Sequence, residues 1–183
     1  MNPSANVTDS STLPMQIAPI GHIRSSVQLS TGCCAKDESS ERKAAQQPPC
    51  FKRYAQQEAD LIIQPQFEEL LHGIEDYSHL MVLYWPHLLD PAKTQQRKIR
   101  PMGRSELPLY GVFATRTPGR PNPVLVTVVK LLARQGNVLR VQGLEAVNGS
   151  PLIDIKPHTA SYWAEGEVTV PQWMQELQKQ AAT

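Results

Sequence analysis

"VLVTVVKLLARQGNVLRVQGL", residues 124–144, is an apolar run rich in valine, a polar break at Gln135-Gly136-Asn137, and a second apolar run. β-Branched side chains suit a pleated surface better than a helix. The spacing therefore predicts one strong strand at 124–132 and another at 138–144. A break this short joins antiparallel neighbours, because a parallel return needs a crossover of about a dozen residues. The same grammar extends outward. "VNGSPLIDI" puts an Asn148-Gly149 turn before a strand at 151–155. "YSHLMVLYWP" (77–86) is nearly all apolar and reads as a buried strand, and "ADLIIQP" (59–65) as a short strand stopped by proline. "MQIAPIGHIRSSV" (15–27) and "YGVFATR" (110–116) read as two more strands. Helices are few: "QFEELLHGI" (66–74), ended by Gly73, and a terminal "PQWMQELQKQAA" (171–182). βαβ alternation and a GxGxxG turn are both missing, which argues against a Rossmann nucleotide site. Six to seven strands with few helices predict a mainly β chain folded as an antiparallel β-barrel.

The chain has 183 residues, enough for one domain with a real core. Residues 1–14 read as a disordered polar tail, 15–160 as the barrel domain and 161–183 as a C-terminal extension carrying the helix. Within the barrel domain, 28–58 is polar and broken by proline and reads as a long loop. No apolar run approaches the roughly 20 residues needed to cross a membrane, and the N-terminus has no signal-peptide pattern. The three cysteines, Cys33, Cys34 and Cys50, suit neither a disulfide framework nor a C-x-x-C metal pair. No metal is expected, and a reducing cytoplasmic location is.

The net charge is only +1. It hides a local excess. Between Lys93 and Arg120 lie seven basic residues (Lys93, Arg97, Lys98, Arg100, Arg104, Arg116, Arg120) and one acid, Glu106. A patch of this sign suits a phosphate backbone without making the whole protein basic. Its end, "GVFATRTPGRPNP" (111–123), sets two arginines among three prolines. Each proline fixes its own φ and biases the residue before it toward extended backbone. An arginine presented on such a loop loses less entropy on binding an anion, and its planar fork suits carboxylate or phosphate. The competing reading has the prolines end strands and the arginines pair with nearby groups.

"GVFATRTPGRPNP" also resembles the signature of the TsaA-like (TrmO-type) family of S-adenosylmethionine-dependent tRNA methyltransferases. "IGHIRSS" (20–26), "GIEDYSHLMVLYWPH" (73–87) and "GLEAVNGSPLIDIKPH" (143–158) resemble three further blocks of that family, in family order. The resemblance implies an antiparallel barrel, S-adenosyl-L-methionine as methyl donor near the interface of a homodimer, and methylation of the exocyclic N6 of threonylcarbamoyl-adenosine beside the tRNA anticodon. It further implies that His87, Leu88, Arg116, Val126, Leu144 and Glu145 lie at the donor. Arg24, Arg120, Asn122, Asp154 and Lys156 become substrate-side and structural polar groups, read as substrate-binding. Arg97, Lys98 and Arg100 of the basic segment become contacts to the tRNA anticodon stem-loop. Leu125 fills a glycine position of the pattern, Leu88 a glutamine and His158 a tyrosine, and no P-R-Q element is found in 28–58. Two other readings stay open: the same donor chemistry on another small acceptor, and a non-catalytic module that binds S-adenosylmethionine or RNA.

Other features read as structural. His22 and His72 are scattered, and His79 reads as a satisfied structural histidine rather than a base. Trp85, Trp163 and Trp173 suit stacking on bases and equally core or dimer contacts, and Glu68 and Glu69 read as a solvated face. A small barrel fills its interior with side chains. A ligand the size of the donor must then sit outside, in a cleft that a second subunit completes.

Overall fold

In a computed structural model that describes residues 15–28, 53–162 and 165–182, six strands close into one antiparallel barrel. They are β1 (Gly21–Ser25), β2 (Glu58–Ile63), β3 (His79–Tyr84), β6 (Leu125–Gln135), β7 (Val138–Gln142) and β8 (Pro151–Pro157). Their order around the ring is β1-β2-β7-β6-β3-β8, with β8 returning to β1. The stretch 124–144 forms the β6–β7 hairpin, with Gln135 opposite Val138. The 1–14 tail, most of the 28–58 loop with its three cysteines, and Trp163 lie outside the described residues.

Alternation decides which side chains enter. Ile23, Leu61, Ile63, Leu80, Val82, Tyr84, Val129, Leu139, Val141 and Leu152 are all fully buried and fill the barrel from every strand. The interior is packed side chain rather than a cavity, as expected of a six-stranded closure. Gly21 pairs with Ile63 on one side and Leu152 on the other. A Cβ there would stand 2.1 Å from the Ile62 carbonyl oxygen. Only glycine lets β1 and β2 approach so closely at this point.

Two expectations change. The run 110–116 contributes only Tyr110–Gly111 as strand, β5, which pairs outside the barrel with β4 (Lys98–Ile99). Val112–Ala114 then turns as a 3-10 helix. Phe113 is 79% exposed, so its apolar character buries nothing and the strand has no reason to continue. The segment 93–108, read as plain loop, carries β4, which lies between 3-10 turns at Pro91–Gln95 and Pro101–Gly103. The terminal helix, α1 (Gln172–Ala182), forms as expected and sets Trp173 against Tyr110, ring centroids 5.7 Å apart. Trp173 is thus engaged within its own chain.

Arg24, expected near a substrate, is an element of the barrel wall. Its guanidinium donates to Asp60 Oδ2 at 2.7 Å, and Arg140 donates to Asp60 Oδ1 at 3.0 Å. One carboxylate thereby ties β1, β2 and β7 through a direct cross-strand row. Burial pushes the Asp60 carboxyl up, but the bonds and charges of Arg140 and Arg24 outweigh it and hold the group below its ordinary 3.8. A lowered carboxyl stabilises the fold above its unfolded value, and that contribution is lost as pH falls below it. Asp60→Asn should therefore be less stable than the parent at neutral pH, with the gap closing below pH 3.8. Urea unfolding at neutral pH and at pH 3 checks this; an equal gap at both would contradict it.

Candidate functional site

β6 begins directly after the proline-rich loop. The two arginines of that loop do different things. Arg120 turns back on its own loop, donating to the Thr117 carbonyl at 2.9 Å and the Thr115 carbonyl at 2.6 Å. It holds the turn from inside, as an internal clasp for carbonyls that would otherwise lack partners. The loop is also pressed against the Pro91–Gln95 turn: a Cβ on Gly119 would come 2.9 Å from the Lys93 carbonyl oxygen. Arg116 remains on the surface. One of its amino groups donates to the Val126 carbonyl at 2.5 Å, which fixes the guanidinium against the start of β6.

That anchored guanidinium borders a cleft of about 500 Å³ on the outside of the barrel. Its wall comes from β6 (Val126, Thr127, Val128, Lys130), from the end of β7 and the segment after it (Gln142, Gly143, Glu145), and from His79 and Ala55. Thr127 Oγ1 donates to Glu145 Oε1 at 2.9 Å. Behind them sits Tyr84, only 2% exposed, whose hydroxyl engages Thr127 and Glu145. Burial pushes the Tyr84 phenol well up, and the adjacent Glu145 carboxylate pushes the same way, so Tyr84 keeps its proton. The cleft thus pairs a positively charged fork and a carboxylate, each held by β6: Arg116 through the Val126 main chain, Glu145 through the Thr127 side chain.

Of the expected donor residues, Arg116, Val126 and Glu145 line this cleft together. Leu144 is fully buried in the core, so its side chain faces the barrel rather than the cleft. His87 and Leu88 are exposed beyond β3, and His87 Nδ1 lies 3.4 Å from Ser150 Oγ, beside the Asn148-Gly149 turn. Neither borders the cleft. Among the substrate-side residues, Asp154 and Lys156 pair with each other at 2.6 Å on β8, and Asn122 is exposed at the loop tip. Arg97, Lys98 and Arg100 are exposed on the insertion around β4 and β5, where Arg100 donates to the Leu107 carbonyl. His79, read as structural, is instead exposed on the cleft wall, with Nδ1 2.9 Å from Ser78 Oγ. Thr127, Lys130 and Gln142 were not singled out in the sequence. Lys130 and Gln142 carried a signal only as outward positions of paired strands, opposite each other, whereas Thr127 shares the inward alternation of Val129 and stands opposite the buried Val82.

Comparison with known proteins gives a consistent result. A family model described as the tRNA-methyltransferase O N-terminal domain matches residues 38–163. A probable S-adenosyl-L-methionine-binding protein of Methanothermobacter thermautotrophicus is 36% identical over 148 residues, 81% of this chain and 93% of its own. A protein of the same description from Archaeoglobus fulgidus is 40% identical over 129 residues, 70% of this chain and 34% of its own. The human tRNA (adenine(37)-N6)-methyltransferase is 34% identical over 108 residues, 57% of this chain and 23% of its own. Among solved structures, TrmO from Pseudomonas aeruginosa superposes with a TM-score of 0.64 at 26% identity, over 90% of this chain and 64% of that one. The chain therefore spans about a third of one relative, less than a quarter of another and nearly the whole of a third. β1 lies ahead of the matched region, yet it closes the barrel.

Proposed function

The chain belongs to the tRNA-methyltransferase O family, and from that premise we propose that it transfers the methyl group of S-adenosyl-L-methionine to the exocyclic N6 of threonylcarbamoyl-adenosine beside the tRNA anticodon. The observation that carries this reading is the cleft, whose wall brings together Arg116 and Glu145, each bonded to the start of β6. Its volume falls within the roughly 300–1,000 Å³ usual for small-molecule sites. A fork suits the carboxylate of the donor's amino-acid end, and a carboxylate suits its ammonium or its ribose hydroxyls. Once bound, the donor supplies an electrophilic methyl group on a positively charged sulfur. The residues of this chain supply position: Arg116 and Glu145 hold the two polar ends, while Val126 and Val128 give the apolar wall between them. Alignment of this kind accounts for most of the acceleration in a transfer that forms no covalent enzyme intermediate.

The reading is tested by adding the protein to labelled donor and bulk tRNA from cells that lack it. Label should appear in one threonylcarbamoyl nucleoside. Label in any other nucleoside would overturn the acceptor assignment, and donor binding without transfer would overturn the enzymatic one.

The tRNA would lie along the insertion that carries Arg97, Lys98 and Arg100, whose side chains stand in solvent. Each phosphate contact releases counterions, so affinity falls with salt in proportion to the contacts made. Arg97→Ala with Lys98→Ala should weaken tRNA binding and reduce the salt slope by about two. Donor affinity should stay unchanged. An unaltered salt slope would remove the insertion from the RNA path. The packed barrel interior also forces the cleft to the outside, where β6 exposes Val128 and Leu132. A homodimer covering that face completes the reading, and light scattering at twice the chain mass is its check.

A further inference from the structure

Thr127 and Lys130 are the two polar residues of a stretch of β6, "LVTVVKLL" (125–132), and of the two Thr127 is on the inward-facing alternation with Val129. It stands opposite Val82 of β3, where valine would have nearly the same shape and differ by the missing hydroxyl. What the hydroxyl adds is a bond to Glu145 Oε1 at 2.9 Å, made at the wall of the cleft. A second hydroxyl, from the fully buried Tyr84, approaches the same pair from inside the barrel. A phenol in a packed core costs free energy unless it finds a partner, and its partners here are the two members of this pair. The segment that carries Glu145 has no strand pairing of its own, because β7 ends at Gln142 and β8 starts at Pro151. Leu144 and Ala146 anchor it in the core on either side. Between those anchors, the carboxylate direction is set by side-chain contacts alone.

We propose that Thr127, backed by Tyr84, is a positioning residue that fixes the Glu145 carboxylate toward the cleft and so sets affinity for the polar end of the donor that Glu145 receives. The proposal rests on the donor reading above for its ligand, whereas the positioning itself is a property of this chain. A side chain held in one rotamer before binding gives up less entropy on binding.

The test compares Thr127→Val, which keeps the shape and removes the hydroxyl, with Thr127→Ser, which keeps the hydroxyl and removes a methyl. Calorimetry with S-adenosylhomocysteine, the demethylated donor, should show roughly fivefold weaker binding for Thr127→Val and near-parent binding for Thr127→Ser. A packing role predicts the reverse order, since valine is the better strand residue, and that result would overturn the proposal. In a Glu145→Ala background the effect of Thr127→Val should vanish; if it persists, Thr127 acts directly on the ligand and the positioning role is wrong. Crystal structures of Thr127→Val and Tyr84→Phe supply a readout that needs no ligand. The Glu145 carboxylate should turn from the cleft in the first and lose its single direction in the second, and an unmoved carboxylate in both would refute the idea. A parent protein that binds no S-adenosylhomocysteine would overturn the donor reading while leaving the crystallographic result to decide this one.

Discussion

Replacing Arg116 by alanine is expected to weaken donor binding at least tenfold with the fold intact. Hydrogen bonds to charged groups are worth about 1.5–3 kcal/mol when one partner is removed, and each 1.4 kcal/mol is about a factor of ten in affinity. Arg116 is suited to this because it is immobilised without being spent. One amino group is committed to the Val126 carbonyl, and the remainder of the fork borders the cleft. Its neighbour in sequence is the control. Arg120 has the same side chain on the same loop, but its donors go to the Thr115 and Thr117 carbonyls. Arg120→Ala acts on loop order first, and its effect on the donor follows from that. Calorimetry on Arg116→Ala, with circular dichroism to confirm folding, gives the answer. Unchanged affinity in a folded protein removes Arg116 from the donor site.

The difference between these two arginines was not legible in the sequence. Arg120 directly precedes Pro121 and Arg116 stands two residues before Pro118, so local chain stiffness restrains Arg120 more, but it says nothing of which groups either guanidinium meets. Their roles separate only when the loop closes and its carbonyls point at one guanidinium rather than the other. The barrel was more readable, because alternation in "VLVTVVKLL" and the short polar break after it depend on nothing distant. The same rule failed at 110–116, where Phe113 looks like a core residue and is exposed. Alternation reports which residues share a face and is silent on whether anything covers that face. Arg24 shows the matching limit for charge: it was read as substrate-side, and its carboxylate partner Asp60 lies 36 residues away, on β2. Thr127 was one polar residue in a strand until Glu145, 18 residues on, came within 2.9 Å.

Gly21→Ala should be among the most damaging single substitutions in the barrel, and it should spare the cleft. An added Cβ would meet the Ile62 carbonyl oxygen at 2.1 Å, a contact that forces the backbone of β1 or β2 to move. Overpacking of this kind costs about 1–3 kcal/mol, and more where backbone must give way. In a chain of this size each 1 kcal/mol is about 2–4 °C in Tm, so a loss of roughly 10 °C is expected. The seam matters because β1 meets β8 through only two residue pairs, Gly21 with Leu152 and His22 with Pro151. Displacing Gly21 opens the ring where it has least to hold it. The cleft is built on the opposite side of that ring, since β6 stands three places from β1 in either direction. Donor affinity measured well below the lowered Tm should therefore stay within about twofold of the parent, a range expected for independent sites. A small loss of Tm would mean that the strands can part at Gly21 without cost. A large loss of affinity in the folded variant would mean that the closing seam and the cleft are mechanically one unit, joined through the segment from Gly143 to Ser150 that runs between them.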